Sequence, residues 1–200
     1  LTPMRLSVQN FERRFDPNDP CAKKKVADFT QMLLQHIDTL SDISDAFSSF
    51  VSMPPQKKEQ AELNTIIRHA IAIFDLPYIH FESKQEQIYL WVDKNQMNRM
   101  LTNLLKNAIY ATDTISDPLI RVSTYVVGDF AYIVVEDNGL GVPLELQERI
   151  FEPKFTTKNT AGSGLGLTMV KHIINAHGGT ITLSSEVNKG ATFTVELKIK

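Results

Sequence analysis

The feature that most constrains the fold is a stripe of apolar residues that recurs every three or four positions from Val26 to Phe50. A near-heptad stripe of about 25 residues predicts a helix about 38 Å long that must bury one side against partner helices. A shorter amphipathic pattern over residues 1–15 and the turn formers of residues 16–20 predict a helical hairpin. The first helix is too short to cover the stripe. Either it continues upstream of Leu1 or the long helix meets a second copy, and we expect a homodimer formed through this hairpin.

A polar segment with two adjacent prolines predicts a linker at residues 54–61, between a hairpin domain (1–53) and a second domain (62–200). The second domain contains helix patterns at 63–74, 96–111 and 165–176, and strand patterns at 78–82, 87–92, 120–127, 130–136, 180–185 and 191–199. The strands mostly adjoin one another, with helices between groups of strands. This order predicts the α+β class, as a two-layer α/β sandwich whose mixed sheet carries helices on one face.

The composition disfavours several classes of function. Because 21 Lys and Arg stand against 23 Asp and Glu, the net charge of -2 offers no positive field to a nucleic-acid backbone, and we expect no nucleic acid partner. The single cysteine, Cys21, excludes an intramolecular disulfide and suits a reducing compartment. No apolar run approaches the roughly 20 residues that cross a bilayer. We expect this part of the protein to be cytoplasmic, and a parent protein anchored in the inner membrane stays compatible with that.

Two asparagines four residues apart, Asn103 and Asn107, share one face of the predicted helix 96–111. Asparagine is a poor helix former, so a pair on one face of a strong helix indicates a task for the carboxamide oxygens. Binding a hard cation such as Mg²⁺ is one such task. Two solvated asparagines are the alternative.

Asp137 ends a predicted strand and is followed by Gly139 and Gly141. A carboxylate only accepts hydrogen bonds, and glycines let a ligand approach the backbone closely. This combination suits recognition of a purine amino group, whereas a simple turn would also explain the glycines.

Three glycines, Gly162, Gly164 and Gly166, open the predicted helix 165–176. Free backbone N–H groups at the positive end of a helix indicate a phosphate-binding loop. The spacing differs from that of a Rossmann fingerprint, and no Walker-type Gly-Lys-Ser/Thr ending follows. The preceding segment, residues 150–158, predicts the hinge of a mobile lid, with a plain surface loop as the alternative.

In this order the motifs resemble those of the Bergerat-type ATP-binding domain of sensor histidine kinases over roughly residues 62–200. The matching segments are 103–107 (N box), 137–141 (first glycine box), 151–155 (F box), 162–166 (second glycine box) and 190–193 (a small-residue box near the adenine). Residues 1–7 and 47–54 resemble parts of the dimerisation and phosphotransfer hairpin of nitrogen-regulation-type sensors.

The resemblance implies an ATP-dependent protein-histidine kinase that binds Mg²⁺ and ATP, transfers the γ-phosphoryl to a histidine, and passes it to an aspartate of a response regulator receiver domain. The roles that it implies are Mg²⁺ binding for Asn107, phosphate positioning for Asn103 and Lys106, adenine recognition for Asp137 and charge neutralisation at the γ-phosphate for Lys158. The further nucleotide contacts that it implies are Ala111, Gly139, Gly141, Phe155, Gly162, Ser163, Gly164, Leu165, Gly166, Leu167 and Thr192.

By the same resemblance the phosphoacceptor histidine lies about six residues upstream of Leu1, and we expect the chain to be a fragment of a longer protein. None of the five histidines present has the matching context. One alternative is an ATPase of the gyrase, MutL or Hsp90 kind, which carries a glutamate where this chain has Asn103. The other alternative is a catalytically idle nucleotide-binding dimer. The sequence upstream of Leu1 would distinguish them.

Overall fold

The structure is a computed structural model, and it describes residues 2–17, 19–34, 37, 56–153, 155–156 and 164–199. The helices are α1 (Thr2–Arg14), α2 (residues 22–34), α3 (Leu63–Ala72), α4 (Lys94–Thr112) and α5 (Gly166–Ala176). The strands are β1 (Glu59–Glu62), β2 (Ile79–Ser83), β3 (Tyr89–Val92), β4 (Ile120–Val127), β5 (Phe130–Asp137), β6 (Thr180–Glu186) and β7 (Gly190–Lys198).

The two N-terminal helices meet through aromatic residues of the predicted apolar faces. Phe11 of α1 stacks on Phe29 of α2 with ring centroids 4.0 Å apart. Residues 38–50, the remainder of the predicted long helix, lie outside the described residues. The assignment of residues 1–53 to a dimerisation domain stays a prediction.

The largest sheet of the described chain has five strands in the order β2, β4, β5, β7, β6. β2 and β4 are parallel, and the other neighbouring pairs are antiparallel. The turn at Gly128 joins β4 to β5 as the sequence predicts, with Gly128 at a φ of 57°. The predicted α+β class with a mixed sheet is confirmed.

A second, two-stranded sheet differs from the sequence-based prediction. The predicted linker at 54–61 contains the first three residues of strand β1, which pairs antiparallel with β3 and places Gln60 opposite Trp91. Of the four residues of β1, only Ala61 is buried. A four-residue strand that buries one side chain has too little hydrophobic alternation to be predicted from sequence. It forms because it pairs with β3, not because of its own residue pattern.

The core lies between the five-stranded sheet and helices α3, α4 and α5. Buried and partly exposed residues alternate along β4 and β5, so each strand contributes one face. The fully buried large residues of the helices include Leu63, Ile67, Met97, Met100, Leu101, Leu104, Leu105, Ile173 and Ile174. This layer positions the central helix, α4, and its neighbour α5. Among the described helices, none has the length and apolar composition of a membrane span.

Asp93 determines where α4 begins. Its carboxylate accepts hydrogen bonds from the backbone N–H groups of Asn95 (3.0 Å) and Gln96 (3.1 Å). These N–H groups have no partner within the helix, and an N-cap residue supplies one. The Asp93 carboxylate also accepts a hydrogen bond from the backbone N–H of Lys57 (3.0 Å). The segment that leads into β1 is therefore attached to the start of α4.

Candidate nucleotide-binding site

Helix α4 holds the two predicted asparagines at the edge of its buried face. Because Leu104, Leu105 and Ala108 face the core, Asn103 and Asn107 are only partly buried, while Lys106 is exposed. The Asn103 amide Nδ2 donates to the carbonyl oxygen of Arg99 at 2.9 Å. This hydrogen bond to the preceding turn of α4 fixes the orientation of the Asn103 carboxamide.

Asn103 lies against the start of α5. A β-carbon on Gly166 would lie 3.0 Å from Oδ1 of Asn103. The N-cap position of α5, Leu165, offers no side-chain hydrogen bond to the first turn. The structure therefore brings the first predicted asparagine to the positive end of a helix, which is a favourable position for an anion.

Asp137 is buried at the end of β5, with 5% of its surface exposed. Its Oδ1 accepts a hydrogen bond from the backbone N–H of Gly139 at 2.9 Å. Burial raises the pKa of the Asp137 carboxyl, and the hydrogen bonds from the backbone of Gly139 and Ala191 oppose that rise. The result is a desolvated acceptor whose orientation is fixed by the main chain.

The glycines after Asp137 allow close backbone contacts. A β-carbon on Gly139 would lie 2.4 Å from the carbonyl oxygen of Ala111, and the N–H of Leu140 donates to that same oxygen at 3.1 Å. Gly141, at a φ of 68°, leaves no room for a β-carbon beside the carbonyl oxygen of Glu186. The predicted contact residue Ala111 and the first glycine motif thus meet at the end of α4.

The predicted lid hinge is anchored to α5 and β7. Phe151 contacts Phe193 edge to face, with centroids 6.4 Å apart, and its carbonyl oxygen accepts from Oγ1 of Thr168 at 3.2 Å. The guanidinium of Arg149 lies 4.8 Å from the ring centre of Phe155. These contacts hold the aromatic end of the segment, while its movement as a lid stays a prediction.

The remaining predicted residues fall into two groups. Gly164, Leu165 and Leu167 lie at the start of α5 beside Gly166, and Thr192 pairs with Glu136 on the neighbouring strand, one residue from Asp137. Lys158, Gly162 and Ser163 lie outside the described residues, so their roles stay predictions.

Two residues that support the first glycine motif have no role in the sequence-based interpretation. The hydroxyl of Ser185 accepts from the backbone N–H of Val142 at 2.8 Å and donates to the carbonyl oxygen of Gly190 at 2.7 Å. Gln147 donates to the carbonyl oxygens of Val142 (3.0 Å) and Ser185 (2.9 Å). Neither residue belongs to a recognisable motif. Each makes at least one hydrogen bond to a backbone group more than 30 residues away in the sequence.

The predicted role of Asn107 as a magnesium ligand stays a prediction, and it would require an ion that is bound mainly through the nucleotide. No cluster of three His, Cys, Asp or Glu side chains that could form a protein cage for a metal occurs within the described residues. Mg²⁺ commonly keeps several waters and takes one or two protein oxygens together with substrate phosphates. Asn107 lies one helical turn after Asn103 on α4, and its carboxamide oxygen would be the single protein ligand of such an ion.

Comparisons with known proteins agree with this geometry. Residues 92–200 match the family described as histidine kinase-, DNA gyrase B- and HSP90-like ATPases. The nitrogen regulation protein NtrY of Azorhizobium caulinodans is 31% identical over 207 residues, which cover 99% of this chain and 27% of NtrY. The chain spans about a third or less of the first curated relatives that it matches.

Two solved structures extend the comparison. The catalytic domain of histidine kinase ThkA in a nucleotide-free form superposes with a TM-score of 0.63 at 32% identity, covering 71% of this chain and 95% of that domain. Histidine kinase ThkA in complex with the response regulator TrrA gives a TM-score of 0.77 and covers 100% of this chain and 57% of that one. At 23% identity the second likeness supports the fold alone.

Proposed function

The chain belongs to the family of histidine kinase-, DNA gyrase B- and HSP90-like ATPases, and from that premise we propose that it is the catalytic core of a sensor histidine kinase. In this proposal it binds ATP with Mg²⁺ and transfers the γ-phosphoryl to a histidine upstream of Leu1. The phosphoryl group then passes to an aspartate of a response regulator receiver domain. The contact between Asn103 and Gly166 is the observation that carries the proposal.

The residue type at position 103 supports a kinase rather than a hydrolase of the same family. An ATPase needs a general base that activates water beside the phosphates. At the position next to the start of α5 this chain has the carboxamide of Asn103, which cannot accept a proton from water at neutral pH. A side chain that positions phosphates without activating water favours transfer to an external nucleophile.

Asp137 carries the proposed recognition of adenine. Its carboxylate is buried and its Oδ1 is held by the N–H of Gly139, so the group is oriented before the nucleotide arrives. A preorganised acceptor suits the exocyclic amino group of adenine, which is a donor. The neighbouring Gly139 and Gly141 let the backbone of Ala111 and Glu186 pack closely beside this carboxylate.

The proposed phosphate site is the start of α5 with Asn103, Asn107 and Lys106. Mg²⁺, when bound, neutralises charge on the phosphate oxygens. Asn107 would offer it a carboxamide oxygen, and the exposed Lys106 can approach the phosphates from solvent. We assign Gly162 and Ser163 to the phosphate loop and Lys158 to the γ-phosphate on the strength of the sequence motifs alone.

A homodimer through α1 and α2 is the proposed assembly. Large apolar side chains stay exposed on the described parts of these helices, with 42% of Val8, 41% of Val26 and 55% of Leu34 accessible. Apolar surface on both helices of a hairpin is typical of an interface with a second hairpin.

The response regulator is proposed by analogy with ThkA, whose complex with TrrA has been solved. We propose the cytoplasm as the compartment, where response regulators and ATP are available.

Calorimetry with ATP and Mg²⁺ tests the nucleotide site of this proposal, and labelling with [γ-³²P]ATP of a protein that extends about 20 residues upstream of Leu1 tests the transfer. Tight binding together with a phosphohistidine supports the kinase. Binding with release of inorganic phosphate and no phosphoprotein would favour the ATPase, and binding without either product would favour the idle dimer.

A further inference from the structure

Asn138, the residue between Asp137 and Gly139, connects the end of β5 to the loop that precedes β4. Its backbone N–H donates to the carbonyl oxygen of Leu119 at 3.2 Å. Its Oδ1 accepts from the backbone N–H of Leu119 at 2.9 Å, and its Nδ2 donates to the carbonyl oxygen of Asp117 at 2.8 Å. Both ends of the carboxamide are therefore bonded to the backbone of one short segment.

These bonds continue the pairing of β4 with β5 by one position. The last pair of that ladder is Ile120 and Asp137. In an antiparallel ladder, the two residues of a hydrogen-bonded pair exchange two backbone hydrogen bonds. At the next position, Leu119 and Asn138 exchange one backbone bond and one bond to the carboxamide oxygen. The side chain of Asn138 thus prolongs the pairing beyond the end of β5.

Asn138 also occupies the middle of the turn that orients Asp137. Oδ1 of Asp137 accepts from the backbone N–H of Gly139 at 2.9 Å, which is the bond of an Asx turn. The position of this N–H depends on the backbone torsions of Asn138. Gly139 follows directly and imposes little conformational restraint of its own. The bonds of Asn138 to the loop before β4 therefore hold the turn in place.

The orientation of the Asp137 carboxylate decides how well it can accept a hydrogen bond from a base. Hydrogen bonds weaken steeply when donor and acceptor are misaligned. Because only 5% of Asp137 is exposed, water has little access to a carboxylate that has rotated away from its partner. A loosened turn would therefore weaken the bond to an amino group of the ligand.

We propose that Asn138 is a positioning residue for adenine recognition: it fixes the turn that orients the Asp137 carboxylate toward the exocyclic amino group of the base. This role rests on the proposed function, because Asn138 acts through the contact of Asp137 with adenine. The carboxamide itself makes no contact with the nucleotide, since it is engaged by Leu119 and Asp117. Its loss should affect the bond to the amino group and leave the phosphate contacts unchanged.

The test compares ATP with purine riboside triphosphate, which carries hydrogen in place of the 6-amino group. Calorimetry with Mg²⁺ gives the ratio of the two affinities, and a change in charge or in the folded fraction affects both nucleotides alike. We expect the parent to prefer ATP by on the order of tenfold, the scale of a charge-assisted hydrogen bond. In Asn138→Ala the affinity for ATP should fall roughly fivefold and that for the analogue by less than about twofold.

Two further variants complete the comparison. Asn138→Asp retains an acceptor for the N–H of Leu119 but loses the donor to Asp117, so its preference for ATP should lie between those of the parent and Asn138→Ala. Tyr132→Phe is the matched control on the same strand, because it removes the hydrogen bond from Tyr132 to Glu196 (2.6 Å) and keeps the ring. Its preference for ATP should equal that of the parent.

Asp137→Asn separates a failure of this proposal from a failure of the proposed function. If Asp137→Asn abolishes the preference for ATP and both Asn138 variants retain it, Asn138 has no positioning role. Equal weakening of both nucleotides in Asn138→Ala would also overturn the proposal, because it would show a general support of the loop. A parental preference in Asp137→Asn would overturn the proposed recognition of adenine and the role of Asn138 together.

Discussion

Oδ1 of Asn103 on α4 faces Gly166, the first residue of α5, so closely that a β-carbon at position 166 would lie 3.0 Å from it. The two residues are 63 positions apart in the sequence, and each belongs to a different motif. Their contact joins the proposed metal-binding helix to the proposed phosphate loop. A β-carbon at position 166 would require this carboxamide to shift by a few tenths of an ångström.

We therefore expect Gly166→Ala to weaken ATP binding by on the order of 1 kcal/mol, although alanine is the better helix former. The double variant Gly166→Ala/Asn103→Ala should lose less ATP affinity than the single variants Gly166→Ala and Asn103→Ala lose together. The reason is that removing the carboxamide also removes its steric conflict with the new β-carbon. Calorimetric titration of all four proteins measures this coupling. Strict additivity would show that the two residues act independently.

Asp137→Asn should reduce the affinity for ATP by about 1 to 2 kcal/mol, the scale of a charge-assisted hydrogen bond. The exposed Asp129→Asn is the control and should bind ATP as the parent does. In both proteins the nucleotide would be titrated at the same Mg²⁺ concentration. Parental affinity in Asp137→Asn would remove this residue from the adenine site.

The same variant is expected to stabilise the protein without nucleotide. Because burial raises the pKa of Asp137 in the folded state, the charged form costs free energy at neutral pH, and this cost disappears as the pH falls through the folded pKa toward the ordinary value of 3.8. A neutral carboxamide avoids it. Melting temperatures near neutral pH should be equal or higher for Asp137→Asn, and a large decrease would contradict this assignment of the cost.

Asn107→Ala should lose the part of the ATP affinity that depends on Mg²⁺, on the order of 1 kcal/mol or more. Asn175→Ala, at an exposed position of α5, is the matched control. Titrations with Mg²⁺ and with a chelator separate the two contributions: the parent and Asn107→Ala should converge when the metal is removed. A difference that persists in the chelator would show that Asn107 acts on the nucleotide itself.

His177 makes the stability of the domain sensitive to acid. Its Nε2 accepts a hydrogen bond from the backbone N–H of Asp93 at 3.1 Å, and its Nδ1 lies 2.7 Å from the carbonyl oxygen of Ile173. Nε2 can accept only in the neutral ring, with Nδ1 as the donor. Burial lowers the pKa of His177 in the folded state, and the nearby Lys58 lowers it further.

The unfolded chain therefore binds a proton at His177 more readily than the folded one. Stability is fully present above the unfolded value of 6.5 and is lost as the pH falls from there toward the folded value. We expect the melting temperature to decline over this interval and the decline to be smaller in His177→Gln. The exposed His69→Gln should retain the parental profile, and an identical decline in His177→Gln would exclude this ring as its cause.

The proposed dimer is testable by light scattering. Dimers, or a monomer–dimer mixture that varies with concentration, are expected for the full chain, and glutamate at Val8 or Val26 should shift it toward monomer. Because β1 begins at Glu59, a truncated variant should retain residues from 56 onward so that the β1–β3 pair survives. A truncated protein that stays dimeric would place the interface elsewhere.

Helices and strands with a long periodic pattern could be predicted from the sequence, whereas contacts between distant backbone groups could not. The apolar residues of α4 recur at helical spacing and predict a helix at 96–111, and the helix spans Lys94–Thr112 because Asp93 caps its start. Strand β1 could not be predicted because Ala61 is the only buried residue among its four. The supporting contacts of Ser185 and Gln147 depend on backbone groups that only the folded chain brings near.

The central claim is phosphoryl transfer to histidine by the site that Asn103, Asp137 and Gly166 define. The most direct measurement is labelling with [γ-³²P]ATP of a protein that extends about 20 residues upstream of Leu1, compared with its Asp137→Asn variant and with the present chain. Our account predicts a label that is labile in acid and stable in base in the extended protein, strongly reduced in the variant and absent from the present chain. Release of inorganic phosphate without a phosphoprotein, or label on His36 or another histidine of the present chain, would contradict it.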